Sequence, residues 1–313
     1  MFTLRPADPL GPYRVERVLR QGGMAVLALA RDRDALPLAL KVARLRGDAT
    51  DEAVQTAVRR EAEILQRLSH KRVVRILPLE GAGADRYLAR AVAVPGAPWF
   101  FALEYLAGGT LTDHLQAAGP LSLNEAVHVA GNVALGLYHA HDRGQAHNDL
   151  KADNIMFRRP VAPGEAPEPV LIDFGIAAPL NRQQDQAGST FIMSPERVLA
   201  MRGQHAPERA ADAGRSDVWS MGVLLYQMLT GRLPFPALAE HSLTSQILNS
   251  TPAPIPALNP RVSAEVDGFV RERCLAKQPT ARASLLELLR FLETVRGQQR
   301  ASLDALRVWG QAA

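Results

Sequence analysis

The hydrophobic period of this chain changes once, near Gly108, and that change limits the folds open to it. Before it, "YRVERVLR", "MAVLALA", "LPLALKVA", "KRVVRILPLE" and "WFFALEYL" are short apolar or alternating runs broken by Gly, Asp and Pro, the pattern of a strand meander. One segment there is different. "TDEAVQTAVRREAEILQRLSH" offers Thr50 as a cap, acidic residues in its first turn and apolar residues at helical spacing. After Gly108 and Gly109 the chain reads as helices, in "LSLNEAVHVAGNVALGLYHAHDRG", "SDVWSMGVLLYQMLTG", "SAEVDGFVRERCLA" and "ASLLELLRFLETV". Strands followed by helices predict an α+β chain of two lobes. "GAGADRYLARAVAVPGAP", "RRPVAPGEAPEP" and "MRGQHAPERAADAGR" read as surface loops between these elements.

Composition excludes several function classes. A single cysteine, Cys274, rules out an internal disulfide and fits a reducing compartment. No apolar run approaches the roughly 18 residues of a membrane span, and "MFTLRPADPLGP" lacks the apolar core of a signal peptide, so a cytoplasmic protein without a membrane span is expected. The net charge of +4 is spread along the chain with no basic stripe interleaved with aromatics, which argues against a nucleic-acid partner.

Phosphoryl transfer asks a protein to neutralise a triphosphate, place two metal ions and orient an attacking hydroxyl, with little covalent work. "HNDLKADN", residues 147–154, offers groups for the last two tasks: Asp149 to accept a hydroxyl proton, Lys151 to steady the phosphoryl group, Asn154 to give a metal a neutral oxygen. Downstream, "VLIDFG" is an apolar strand ending in Asp173; upstream, "LALK" is another ending in Lys41. Singly, each has a blander reading. Lys41 alone is a solvated strand end, Asp149 and Asp173 are turn formers, and the pair Gly22–Gly23 is a hairpin turn. His139 and His141, two apart on a helix, point to different faces and make a poor metal pair. Cys274 reads as inert core.

The joint order is more specific than any piece. "LALK", "HNDLKADN", "DFG" and "SPE" follow one another in the order and spacing of the protein-kinase signature set, and the chain resembles that family from about Tyr13 to Leu292. "SDVWSMGVLLYQMLTGRLPF" and "LAKQPTARAS" resemble later segments of its fold, and "GGMAVLALARD" and "NIMF" resemble the bacterial Hanks-type serine/threonine kinases. The resemblance implies a kinase domain over 13–295, with an N-lobe (13–107) of antiparallel sheet plus one helix and a mainly helical C-lobe (108–295). Residues 1–12 would be an N-terminal extension and 296–313 a helical tail. It also implies transfer of the γ-phosphoryl of ATP, with Mg2+ or Mn2+, to serine or threonine hydroxyls of protein substrates.

Roles carry over by position. Lys41 would contact the nucleotide phosphates and pair with a glutamate of the 51–68 helix. Glu61 is preferred to Glu63, because the family has an apolar residue four places further on, where Glu61 has Leu65 and Glu63 has Arg67. Asp149 would be the catalytic base with Lys151 beside it, and Asp173 and Asn154 would hold the metal ions. Leu103 resembles the gatekeeper, the backbone of Glu104 and Leu106 would bond adenine, and Ala39, Leu27 and Met156 would sandwich the ring. Leu19, Gly22 and Gly23 belong to the phosphate loop. Glu196 and Arg282 match a buried ion pair, Asp217 the anchor of the catalytic loop, and His147 its brace.

Two departures stand out. The family's phosphate loop reads G-x-G-x-x-G, whereas "RQGGMA" has Arg20 and Ala25 in place of the first and third glycines. Asn148 stands where most members have an arginine that meets a phosphorylated activation segment, and "IAAPLNRQQDQA" contains no Ser, Thr or Tyr to receive that phosphate. The sequence therefore reads as a kinase whose activation segment needs no phosphate. The rival is a pseudokinase-type binding module, which Arg20 favours and the set Lys41, Glu61, Asp149, Asn154 and Asp173 opposes. A dinucleotide-binding oxidoreductase is more remote, since "RQGGMA" opens no helix. A small-molecule kinase of the same fold is opposed by the "SPE" segment.

Overall fold

The computed structural model describes residues 3–22, 25–44, 50–81, 85–162, 165–175, 177–179, 189–204, 213–236 and 239–310. It divides into two compact units, residues 1–107 and 108–313.

The first unit is an antiparallel sheet with one helix. Its elements are β1 (Pro9–Leu10), β2 (Tyr13–Gln21), β3 (Ala25–Arg31), β4 (Pro37–Ala43), α1 (Asp51–Arg67), β5 (Ile76–Leu77), β6 (Ala89–Arg90) and β7 (Trp99–Glu104). The strand order is β1-β2-β3-β4-β7-β5, with β6 added on β7. Alternation in β2 buries Tyr13 and Val15 against Ala28, Leu40 and Phe100, while Arg14 and Glu16 face water. Two register shifts interrupt the β2–β3 ladder, and Leu19 falls within the second, between Val18 and Arg20. Thr50 caps α1, its Oγ1 accepting from the Ala53 amide at 3.2 Å.

Two stretches differ from their sequence reading. Leu4 and Leu10, in the segment assigned to an extension, are buried with Tyr13 and Val15, and β1 pairs with β2. They belong to the sheet's core because an apolar side chain every few residues suffices to seal its edge. "KRVVRILPLE" contributes only Ile76–Leu77 to the ladder. Val73 N–H turns back onto the His70 carbonyl at 3.0 Å, and Pro78 has no amide to donate.

The second unit holds α2 (Leu111–Ala118), α3 (Leu123–Asp142), β8 (Gln145–Ala146), β9 (Ile155–Phe157), β10 (Pro169–Leu171), β11 (Ala178–Pro179), α4 (Pro195–Met201), α5 (Ala213–Thr230), α6 (Glu240–Asn249), α7 (Ile255–Leu258), α8 (Ala264–Gly268) and α9 (Leu285–Gly310). Among the described residues capping boxes start three of these helices: Thr110 with Asp113 on α2, Ser122 with Glu125 on α3, and Ser284 with Glu287 on α9. Gly108 lies so close to β9 that a Cβ there would stand 2.6 Å from Phe157 Cβ and strike the Arg159 carbonyl. This approach lets Gly108 N–H reach the Phe157 carbonyl at 3.0 Å and Phe157 N–H reach that of Gly109 at 2.9 Å. A six-residue π-helical turn, Phe269–Cys274, follows α8. Its Cys274 packs where Gly222 on α5 leaves room, and burial pushes the thiol up to about 12, so it is no nucleophile. Residues 296–310 continue α9 without a break.

Glu196 and Arg282 join α4 to the segment before α9. Arg282 Nη1 and Nη2 meet the two Glu196 carboxylate oxygens at 2.8 and 3.0 Å, and the guanidinium lies 5.3 Å from the Trp219 ring. The same guanidinium donates to the carbonyls of Arg215 and Ala276, and Arg282 is 1% exposed. Removing one partner strands the other charge away from water. Arg282→Met should therefore cost roughly 3–5 kcal/mol, read from the denaturant midpoint; a loss within the error of wild type would show the pair to be dispensable.

Candidate active site

Each unit holds a polar cluster of its own. In the first, Lys41 lies mid-β4 opposite Leu27 on one side and Phe101 on the other. Its Nζ meets Glu61 Oε1 and Oε2 at 2.6 and 2.8 Å, and lies 5.9 Å from the Phe101 ring. Glu61 is on the buried face of α1, whereas Glu63 is exposed. Helical spacing alone explains the choice, since two residues along a helix is more than half a turn. The two bonds hold the Lys41 side chain against Glu61.

Several other residues expected around a nucleotide lie on the same sheet or next to it. Ala39 and Leu103 are cross-strand neighbours, both buried, and Leu106 is buried just beyond β7. Leu19 and Leu27 are half-buried. Glu104 is tied to Arg75 on both sides, its N–H donating to the Arg75 carbonyl at 2.9 Å and its carboxylate accepting from the Arg75 N–H at 3.0 Å. Gly22 N–H closes onto the Ala25 carbonyl at 2.9 Å, and Arg44 donates to the Gly22 carbonyl at 2.8 Å. Gly23 lies outside the described residues.

In the second unit the loop from β8 to β9 is organised by a carboxylate it does not contain. Asp217, on α5 and fully buried, accepts from the His147 and Asn148 backbone N–H groups at 2.8 Å each and lies 2.7 Å from His141 Nε2. Burial pushes the Asp217 carboxyl up, but the hydrogen bond and charge of His141, with His147, more than offset it, so it lies below the ordinary carboxylate range. His147 is fully buried beside Phe174, and its Nε2 is 3.1 Å from the Ile172 carbonyl. The backbone then turns through a left-handed conformation at Asn148, φ +66°.

That turn delivers Asp149. Its Oδ2 takes Lys151 Nζ at 2.8 Å and Asn154 Nδ2 at 3.0 Å, and its Oδ1 takes the Ser189 N–H at 3.0 Å. Lys151 Nζ is also 2.6 Å from Ser189 Oγ. Asp149, Lys151, Asn154 and a hydroxyl are thus brought together. Asn154 spends its amide hydrogens on Asp149, whose carbonyl accepts a second bond at 2.8 Å, and this orients its Oδ1 away. The Ile172 N–H bonds the Asn154 carbonyl at 2.9 Å, which sets Asp173 one residue further along beside β9, and Met156 lies mid-β9 opposite Val170. Asp173 is also left-handed, φ +65°.

A neutral amide oxygen, as on Asn154, and a carboxylate, as on Asp173, are hard donors of the kind a divalent cation takes. Among the described residues no cluster of three or more His, Cys, Asp or Glu side chains forms an all-protein metal cage, and a phosphate-completed site needs none. Ser189 matches by position the family's substrate-loop threonine, which meets the catalytic Asp and Lys, and it stands at Asp149 and Lys151; Arg197 is absent from the sequence-based set of site residues. Arg197 follows Glu196 with no periodic cue that it points inward.

The fold of the two units and the order of their motifs are those of the protein kinase class. The family model for the protein kinase domain matches residues 13–291, and the chain belongs to that family. Within it the chain is similar to bacterial serine/threonine kinases. PknJ of Mycobacterium tuberculosis is 32% identical over 276 residues, 86% of this chain and 43% of that protein. PrkC of Bacillus subtilis is 30% identical over 281 residues, 88% of this chain and 39% of that protein. Pkn3 of Myxococcus xanthus is 30% identical over 307 residues, 94% and 51%. The chain therefore spans well under two thirds of these relatives. No helix among the described residues is long and apolar enough to cross a membrane.

The Asp217 carboxylate gives a pH signature. Its folded-state pKa is depressed, so its contribution to stability is full above the unfolded value of about 3.9 and is lost as pH falls through the lower folded value. Asp217→Asn should cost about 1–3 kcal/mol at neutral pH, with the gap to wild type closing below about pH 4 in denaturant titrations. A gap that stays constant down to pH 3 would remove the carboxylate charge from the explanation.

Proposed function

We propose that this chain transfers the γ-phosphoryl group of ATP to serine or threonine hydroxyls of protein substrates, using Mg2+ or Mn2+. The observation that carries this reading is the Asp149–Lys151–Ser189 cluster, in which a hydroxyl already stands 2.6 Å from Lys151 Nζ while its own backbone N–H is held by the Asp149 carboxylate. A substrate hydroxyl in that neighbourhood meets the two groups it needs. Asp149 accepts its proton as the oxygen attacks the γ-phosphorus and the bond to the β-phosphate oxygen breaks, releasing ADP. Lys151 offsets charge on the transferred group, and Lys41, held by Glu61, neutralises the phosphates of the nucleotide. Asp173 and Asn154 would hold the magnesium, which when bound supplies charge neutralisation for the phosphates. Leu19, Gly22, Gly23, Leu27, Ala39, Leu103, Glu104, Leu106 and Met156 are the proposed nucleotide contacts. The relatives named serine/threonine kinases support the substrate class.

The activation segment is proposed to work without phosphate. No cation stands at position 148 to await one. The nearby cation, Arg197, is buried among the carboxylates of Asp217, Asp149 and Glu196 rather than offered to solvent. Most of residues 176–188 lie outside the described residues, but their sequence offers no hydroxyl.

Two outcomes test this reading. Asp149→Asn should lower turnover of labelled ATP on a peptide substrate roughly 10²- to 10⁴-fold without loss of fold, as a missing general base does; unchanged transfer would take Asp149 out of that role. Treatment of the wild-type protein with phosphatase should leave most of its initial rate. A collapse in rate that tracks loss of phosphate from the peptide spanning 174–197, followed by mass spectrometry, would reject phosphate-independent activity.

A further inference from the structure

We propose that Arg197 is a positioning residue for the transfer reaction, holding the left-handed turn at Asn148 that presents Asp149. The proposal rests on the kinase reading above and concerns a side chain with no assigned part in it. Arg197 lies in α4 and is 3% exposed. Its Nη1 donates to the Asn148 carbonyl oxygen, while the Asn148 N–H donates to Asp217 Oδ1 at 2.8 Å. The peptide groups on both sides of Asn148 are therefore fixed, one by a buried anion and the other by a buried cation. Between them stands a residue at φ +66°, a conformation L-residues other than glycine adopt reluctantly and asparagine tolerates best. Fixing both peptides fixes the direction in which the chain leaves Asn148, and the next residue is Asp149.

General charge balance does not account for this placement. Glu196 is already met by both terminal nitrogens of Arg282, at 2.8 and 3.0 Å, and Asp217 by His141 and two backbone amides. Burial works against the Arg197 charge, which the carboxylates of Asp217, Asp149 and Glu196 support. Within that negative surrounding the guanidinium gives a bond to a neutral carbonyl, the carbonyl of the strained residue. A charge-assisted bond inside the protein is stronger than one between neutral groups, as holding a reluctant turn requires.

The test compares Arg197→Gln, Arg197→Lys and Arg197→Gln combined with Asn148→Gly, with folding followed by circular dichroism. Arg197→Gln should lower kcat roughly 10- to 100-fold, the effect of a small displacement of a reacting group, with KM for ATP within about 2-fold of wild type. Arg197→Lys, which keeps the cation and a donor, should recover most of the loss. Adding Asn148→Gly should also recover part of it, because glycine adopts the left-handed turn without help. The 13C resonance of the Asn148 carbonyl should move upfield in Arg197→Gln and return in Arg197→Lys. An unchanged kcat, an unmoved carbonyl resonance, or a double variant no better than Arg197→Gln alone would each overturn the proposal. Should Arg197→Gln fail to fold, a folded Arg197→Lys with a wild-type carbonyl resonance and kcat would support it, and one with both lost would refute it. A wild-type chain that transfers no phosphate defeats the kinase reading instead, and the carbonyl resonance then decides whether Arg197 holds the turn.

Discussion

The buried Asp217 carboxylate is the interaction on which the rest of the site depends. It lies on α5, has no exposure, and receives two consecutive backbone amides of the loop before Asp149 together with the imidazole of His141 from α3. A carboxylate in such a place costs several kcal/mol unless its lone pairs are met, and here three donors meet them. The consequence is mechanical. Helix α5, joined to α3 through His141, holds a non-helical loop at two consecutive amides, so the loop inherits the rigidity of the packed helices.

Rigidity matters because the loop's conformation is unfavourable by itself. Asn148 and Asp173 are both left-handed, each at a cost of order 1–3 kcal/mol for residues other than glycine. Each is held by its neighbours: Asn148 by Asp217 and Arg197, and the residue before Asp173 by the Asn154 carbonyl and His147. Strain stored this way turns side chains toward one another that ordinary strand or helix geometry would part. Asp149, Lys151 and Asn154 consequently share hydrogen bonds instead of facing solvent singly. The first unit reaches the same end differently, with Lys41 on a regular strand and Glu61 on a regular helix joined by two short bonds.

The sequence announced this much because each element is locally consistent. Thr50, Thr110 and Ser122 cap the helices they precede, and the period change at Gly108 coincides with the division into two units. The choice of Glu61 over Glu63 rests on the resemblance, which asks for an apolar residue four places on, and Glu61 is the one on the buried face of α1. What stayed hidden are features set by long-range packing. Nothing in "SPER" tells that the Arg197 side chain turns inward beneath a loop 49 residues away in sequence. His141, a poor metal partner for His139 in the sequence, is a hydrogen-bonding partner of Asp217 because α3 ends opposite α5. Leu4 and Leu10 precede the stretch that resembles the family, which begins at about Tyr13, so the resemblance does not mark them as core. Asn148 was noticed for the arginine it lacks, whereas its tolerance of positive φ is the property the backbone uses.

The most direct measurement is native-state hydrogen exchange at the His147 and Asn148 amides at neutral pH. Both donate to a fully buried carboxylate between packed helices, so both should exchange only through openings as costly as those of α3 and α5, although they lie in a loop. Exchange at the rate of surface-loop amides, with α3 and α5 still protected, would contradict the claim that Asp217 fixes the catalytic loop.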